Sequence, residues 1–392
     1  MFYMPHSRAR FISSVLKRQG KLWPVVGLVG LRQSGKTTIM REQLDLPNYV
    51  TFDDDDMLMQ ATNTPKIFLA QQSLPIVIDE VQKAPKLFNT IKLHVDKDRR
   101  PGRFFVTGSS QFSTRIGVRE SLTGRIGICP LFPLTIAEAL NLPEIKCFKT
   151  WTSKMSLRGS WQNVLHHAER GGMPIPMFLR DKKQRNDYWK GWLDTTIHRD
   201  LPLCFKSSYK PEIAKSILKT IGRVLREGEL PSLGHFNIDS RRLRNYLEAF
   251  ETIFVLRRIP CHTSGVGKEV WMLGDSGLAA YLMGTMTSDG EILSAVRHGL
   301  WQETSAIMSF YGIDDSRSYY KSARGEPIDW VLDGVPMKIV TSLNSRAWSE
   351  RGLAGAMKSI NSKVGFLIAP VDQVELPKNS RGIGVLPWNF WS

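Results

Sequence analysis

Cysteine is scarce: four in 392 residues, at Cys129, Cys147, Cys204 and Cys261, with no two close enough to form a metal-binding pair. That spacing excludes a disulfide framework and a structural zinc site, and the thiols read as reduced and buried in a cytoplasmic protein. Long apolar runs are missing too. No stretch approaches the ~20 residues of a membrane span, and Leu22 to Leu31 is broken by Pro24 and two glycines, so no membrane contact is expected. Met1 to Gly20 carries Arg8, Arg10, Lys17 and Arg18 among scattered apolar residues but no continuous apolar segment or cleavage site, so no leader is expected. No internal repeat or low-complexity tract is evident. Acidic charge is in short supply as well: 37 Asp plus Glu face 53 Lys plus Arg, a formal net charge of +16. A polyanionic partner, nucleic acid, is the expectation. The one dense acidic run, Asp53-Asp54-Asp55-Asp56, reads as a solvated strand end.

Against these absences stands Gly30-Leu31-Arg32-Gln33-Ser34-Gly35-Lys36-Thr37-Thr38, placed where the apolar run Val25-Val26-Gly27-Leu28-Val29 hands over to a helix-like segment. Glycines at this spacing let the backbone turn its N–H groups toward phosphate oxygens, and the following helix N-terminus adds partial positive charge. Lys36 would reach the β and γ phosphates of a nucleoside triphosphate, and Thr37 would hold Mg²⁺. Gly30, Gln33, Ser34, Gly35 and Thr38 complete the expected nucleotide-binding set.

Ile76-Val77-Ile78-Asp79-Glu80 is too short and apolar to be anything but a buried strand, and it ends in two carboxylates. Asp79 suits the water shell of the metal, and Glu80 suits the base that polarises an attacking water. Arg103-Phe104-Phe105-Val106 is the next strand candidate and runs into Thr107-Gly108-Ser109-Ser110. If it lies between the other two strands in the sheet, Thr107 or Ser109 is placed to sense the γ-phosphate, although both residue types also serve as plain turn formers. Arg115, Arg119 and Arg125 follow, with Arg125 in Leu122-Thr123-Gly124-Arg125-Ile126. An outward arginine here suits a finger acting on a neighbouring subunit's nucleotide.

These segments, with Asp79-Glu80-Val81-Gln82-Lys83 followed by Pro85 and Pro130-Leu131, resemble the bacterial and archaeal ATPases of the AAA-14 type, which carry a C-terminal domain of unknown function called DUF4143. The likeness continues through Arg199-Asp200, Tyr246-Leu247-Glu248, Phe254-Val255-Leu256, Gly274-Asp275-Ser276-Gly277-Leu278-Ala279 and Gly299-Leu300-Trp301-Gln302-Glu303, covering residues 20 to 345. The resemblance implies an α/β fold, a parallel P-loop sheet flanked by helices, with ATP and Mg²⁺ as cofactors. A homo-oligomer, of which a hexameric ring is one form, belongs to the same expectation.

Farther along, the pattern reads as helix from Pro211 to Leu225, a turn, a helix from Asp239 to Phe250, and two short strands at 254–258 and 269–272, the outline of a winged helix. Asp239 or Ser240 would cap the recognition helix, whose Arg241, Arg242, Arg244 and Asn245 would meet DNA, with Arg258 and Lys268 on the wing. Gly171-Gly172-Met173-Pro174 reads as a linker or turn before an amphipathic segment from Tyr188 to Arg199. In the last third, Glu303, Asp329 and the strand Val335 to Thr341 resemble a restriction-endonuclease-like core. Lys338 and Val340 stand where an acid and a lysine would be needed, so nuclease activity is not expected. The tryptophans from Trp301 onward read as core. The expected division is an ATPase domain over 1–140, a helical lid or linker over 141–205, a winged helix over 206–285 and a degenerate nuclease-like domain over 286–392. The combined expectation is an oligomeric ATPase that moves along or remodels DNA; the alternative is a signalling or defence switch acting through protein partners.

Overall fold

Val25 to Val29 has no polar side chain to turn toward water, and it forms an interior strand of a sheet. In the computed structural model, β1 (Val25–Gly30) is buried at every position. The structure describes residues 8–110, 122–142, 159–205, 208–312, 317–323, 327–344, 346–377 and 381–391. Arg115, Arg119 and Cys147 lie outside the described residues. The chain divides into two units, Met1–Leu134 with Thr252–Phe254, and Thr135–Glu251 with Val255–Ser392.

In the first unit, α1 (Ile12–Gln19) precedes β1, and α2 (Lys36–Glu42), β2 (Asn48–Thr51), α3 (Asp55–Asn63), α4 (Pro65–Ala70), β3 (Ile76–Asp79), α5 (Leu87–Lys97), β4 (Phe104–Gly108) and β5 (Ile126–Leu131) follow. The five-stranded sheet has the order β2-β3-β4-β1-β5, and every pairing is parallel. Parallel strands need crossovers on both faces, which is why β1, β3 and β4 are buried throughout and read as unbroken apolar runs. Strand β4 lies between β1 and β3, as the sequence reading requires for a sensor at its tip. The acidic run does more than end a strand: Asp54 caps α3, accepting the N–H groups of Asp56 and Met57, and Asp53 pairs with Lys83 at 2.6 Å.

The second unit begins with α6 (Ile136–Ala139), α7 (Trp161–Arg170) and α8 (Lys182–Thr195), the last running into a π turn over Thr196–Asp200. The helix, turn, helix and hairpin expected next are present as α9 (Pro211–Arg226), α10 (Ser240–Thr252), β6 (Leu256–Ile259) and β7 (Val270–Leu273), the strands antiparallel. Helix α9 buries Ala214, Ile217, Leu218, Ile221, Val224 and Leu225, the 3.6-residue stripe that its sequence dictates. Then come α11 (Ser276–Met283), α12 (Asp289–Tyr311), β8 (Ser318–Tyr320), β9 (Ile328–Leu332), β10 (Val335–Ile339), α13 (Arg346–Ile360), β11 (Val364–Ala369) and β12 (Gly382–Pro387). These strands form a second sheet, β12-β11-β10-β9-β8, antiparallel from β8 to β10 and parallel from β10 to β12. Leu353 and Ala356 of α13 pack into its core with Ile328, Val331, Leu367 and Val385.

The turn at Gly171 to Pro174 is held rather than loose. Asp275, fully buried, accepts the N–H groups of Gly172 and Met173 as well as those of Gly277 and Leu278 at the start of α11. Burial raises its carboxyl to about 6, against four amides that pull the other way. The tryptophans Trp301, Trp330, Trp388 and Trp391 are buried, as expected, whereas Trp348 is exposed.

Candidate active site

The phosphate loop closes because two glycines sit where no other residue fits. A Cβ on Gly30 would come within 2.3 Å of the Leu131 carbonyl oxygen, since β1 and β5 pair there. Gly35 has φ of 100°, a left-handed conformation that costs glycine little. Helix α2 therefore starts at Lys36, with its first N–H groups at the loop. The Lys36 ammonium is buried and donates to the carbonyl oxygens of Gly30 and Leu31 at 3.0 and 2.9 Å. Ser34 is buried and donates its hydroxyl to Leu31 O. Arg10, which the sequence reading passed over, holds the loop from outside it: its guanidinium donates to Ser34 O at 3.1 Å and to Phe132 O at 2.7 Å.

Asp79, 2% exposed at the end of β3, is the hub. Thr37 Oγ1 donates to Asp79 Oδ2 at 2.8 Å, Tyr49 OH donates to the same oxygen at 2.7 Å, and Thr107 Oγ1 donates to Oδ1. Burial, with Asp79 beside it, pushes the Tyr49 phenol well above its ordinary range, so it stays a donor. Glu80 has φ of 55°, left-handed in a residue with a Cβ, a conformation that persists only where its surroundings fix it. Its N–H donates to Thr107 Oγ1 at 3.1 Å, and its carboxylate accepts from Gln82 Nε2 and, at 3.1 Å, from Ser109 Oγ. Thr107 and Ser109 thus stand on opposite carboxylates, one on Asp79 and one on Glu80.

The donor set suits Mg²⁺, which takes hard oxygens and is usually held by one or two protein groups plus phosphates. Thr37 and Asp79 supply a hydroxyl and a carboxylate in contact. Among the described residues no group of three or more His, Cys, Asp or Glu is placed to cage a metal by itself.

Arg125 is half-buried and already has partners. Its Nε donates to Asp96 Oδ1 at 2.6 Å and its Nη1 to Thr123 O at 3.0 Å; that bond holds the Asp96 carboxyl below its usual range.

In the second unit, Asp239 Oδ1 accepts the Arg242 N–H at 3.0 Å, capping α10 as expected. Arg241, Arg242, Arg244 and Asn245 are exposed on one side of that helix, opposite the buried Leu243, Tyr246 and Leu247. The wing differs. Arg258 is paired with Glu251 and Glu269 at 3.1 and 3.6 Å, so its charge is already matched. The loop between β6 and β7 is tied to the second sheet: His262 N–H donates to Tyr319 O at 2.7 Å and Val266 N–H to Lys321 O at 2.9 Å. Lys268 is exposed, but its carbonyl accepts the Tyr319 hydroxyl.

Among the described residues, no group of three acids in the last third is placed to hold a metal ion. Asp329 pairs with Arg297 at 2.6 Å, both at 5% exposure or less, and its other oxygen accepts the Ile339 N–H at 2.7 Å. Glu303 accepts the Ile136 N–H at 2.9 Å, and burial raises its carboxyl to about 8. Lys338 is buried with its Nζ 4.8 Å from the centre of the Trp348 ring, and Val340 is core. Glu326 lies outside the described residues.

Two family models match the chain: an AAA domain over residues 23–140 and a domain of unknown function, DUF8612, over residues 162–289. The second corrects the resemblance to DUF4143. Weak motifs spread over a helical segment, such as Gly274-Asp275-Ser276-Gly277-Leu278, record helix caps and packing that unrelated domains share. The uncharacterized proteins Rv2008c of Mycobacterium tuberculosis and Mb2031c of Mycobacterium bovis are each 26% identical over 272 residues, 67% of this chain. The chain spans 56% of the length of each. The Walker-type ATPase PABY2304 of Pyrococcus abyssi superposes with a TM-score of 0.39 at 15% identity, over 69% of this chain and 94% of its own. No helix among the described residues is long and apolar enough to cross a membrane. With the phosphate loop at the end of β1, Asp79 and Glu80 at the end of β3 and the tip of β4 between them in a parallel sheet, residues 23–140 form a P-loop ATPase domain.

Proposed function

We propose that this chain hydrolyses ATP with Mg²⁺ and uses the cycle to move along or remodel DNA. The observation that carries the hydrolytic part is the contact of Thr37 and Thr107 with Asp79 beside a fixed Glu80. Thr37 and Asp79 would hold Mg²⁺, which would neutralise charge on the phosphates. Lys36 binds the phosphates once its ammonium leaves the loop carbonyls. Glu80 accepts a proton from the attacking water, and Ser109 and Gln82 hold its carboxylate in place. Arg125 acts in trans in an oligomer only after it parts from Asp96, which makes assembly a condition of turnover.

DNA engagement is supported by the net charge of +16 and by the exposed Arg241, Arg242, Arg244 and Asn245 of α10. The order of α9, α10 and the β6–β7 hairpin supports a winged helix, used through its helix rather than its tied wing. The order of α12, the β8–β9–β10 meander, α13 and β11 supports a nuclease-like core, with Asp329 already neutralised.

The test is the ATPase rate with single-stranded, duplex and branched DNA, run over a salt series. Stimulation by DNA, with log K falling by about 0.9 per phosphate contact against log salt, is expected, and reversing Arg241 and Arg242 to Glu is expected to flatten the slope. Turnover indifferent to every DNA would instead favour a switch that acts through protein partners.

A further inference from the structure

The register of the first sheet decides what Tyr49 can reach. Tyr49 pairs with Val77, and Thr51 pairs with Asp79. Side chains alternate faces along a strand, so Tyr49, Val77 and Asp79 share one face. The phenol lies along that face and its hydroxyl meets Asp79 Oδ2 at 2.7 Å. Arg41, in the last turn of α2, places its guanidinium 5.0 Å from the centre of the ring. The end of β2 is fastened to the end of β3 as well: Phe52 N–H donates to Asp79 O at 3.1 Å, and Lys83 Nζ donates to Phe52 O at 3.0 Å.

Three hydroxyls therefore hold one carboxylate, and they are not equivalent. Thr107 fixes Oδ1. Thr37 and Tyr49 converge on Oδ2, but Thr37 is also the hydroxyl suited to the metal, so its geometry answers to two demands. Tyr49 sits on the edge strand, and its only role at this carboxylate is to donate. We propose that Tyr49 is a positioning residue of the nucleotide site, holding Asp79 in the orientation that a Mg²⁺–nucleotide complex requires. The proposal rests on reading this site as one for Mg²⁺ and ATP.

The experiment uses the full chain, wild type, Tyr49→Phe and Lys36→Ala, with a fluorescent ATP analogue titrated in EDTA and over a series of free Mg²⁺ concentrations. Phenylalanine keeps the ring and its contact with Arg41 and removes only the donor; a thermal melt confirms that the variant is folded. The free Mg²⁺ needed for half-maximal tightening is expected to rise roughly tenfold in Tyr49→Phe, the scale of one hydrogen bond to a charged acceptor. Affinity in EDTA is expected to stay at the wild-type value. An unchanged Mg²⁺ requirement, or equal weakening with and without Mg²⁺, overturns the role of Tyr49 and leaves the site reading intact. Wild type that fails to bind the analogue, or Lys36→Ala that binds it as tightly, overturns the site reading itself and the proposal with it.

Discussion

Thr107 joins Asp79 to Glu80 through a single oxygen: its hydroxyl donates to Asp79 Oδ1 and accepts the Glu80 N–H, with no solvent exposure at Thr107. The tip of β4 thereby sets both carboxylates at the end of β3. Thr107→Val keeps the shape and leaves a buried amide and a carboxylate oxygen without this partner. A loss of about 1–3 kcal/mol in stability is expected, the cost of unsatisfied buried polar groups, together with a fall in kcat; Thr107→Ser is expected to keep both. Chemical denaturation and ATPase assays check it, and a valine variant equal to wild type in both would remove Thr107 from the site.

Glu303 gives the second unit a pH dependence whose sign is fixed by its burial. Its carboxyl is raised to about 8 in the folded chain, against about 4.3 in an unfolded one. Below about pH 4 both states are protonated and its contribution is fully present. Stability then falls as pH climbs through the interval up to about 8, because only the unfolded state gives up the proton. Glu303→Gln keeps an acceptor for the Ile136 N–H and cannot ionise. It is expected to be the more stable protein at pH 8 by more than about 1.4 kcal/mol, the value of one pKa unit, with the difference shrinking toward pH 4. Denaturation curves at several pH values decide this, and a constant difference across the range would refute it.

Arg297 and Asp329 form a buried ion pair where a nuclease-like core would gather its metal ligands. Arg297→Met leaves the carboxylate uncompensated, and a loss of about 3–5 kcal/mol is expected. The double variant Arg297→Met, Asp329→Leu is expected to recover most of it. Purified wild type is expected to leave DNA uncut in Mg²⁺ or Mn²⁺. Metal-dependent cleavage that survives Lys36→Ala and disappears in Asp329→Ala would restore the nuclease reading.

The parts of the site that the sequence made legible are those whose chemistry requires contiguous residues. The loop from Gly30 to Thr38 and the pair Asp79-Glu80 carry their own backbone demands, Gly35 at positive φ among them; the burial of β4 followed from its unbroken apolar run, whereas its place between β1 and β3 was a condition that only the sheet order supplies. Tyr49, Arg10 and Arg297 stayed hidden because their roles depend on strand register or on contacts across 30, 24 and 32 residues of sequence. For Arg258, a basic residue on a hairpin reads as free charge until Glu251 and Glu269 are found beside it. The segment over 162–289 showed its helices in the 3.6-residue period, but the period records burial and not family, so DUF8612 could not be told from DUF4143.

The division of labour between Lys36 and Glu80 tests the account most directly, by nucleotide binding and steady-state ATP hydrolysis on the same preparations. Lys36→Ala is expected to lose nucleotide affinity because the phosphate charge is no longer matched, and Glu80→Gln to bind ATP and Mg²⁺ as wild type does while losing turnover. Glu80→Gln that hydrolyses ATP at the wild-type rate would contradict the assignment of the base, and wild type with no ATPase activity in any assembly state would contradict the account as a whole.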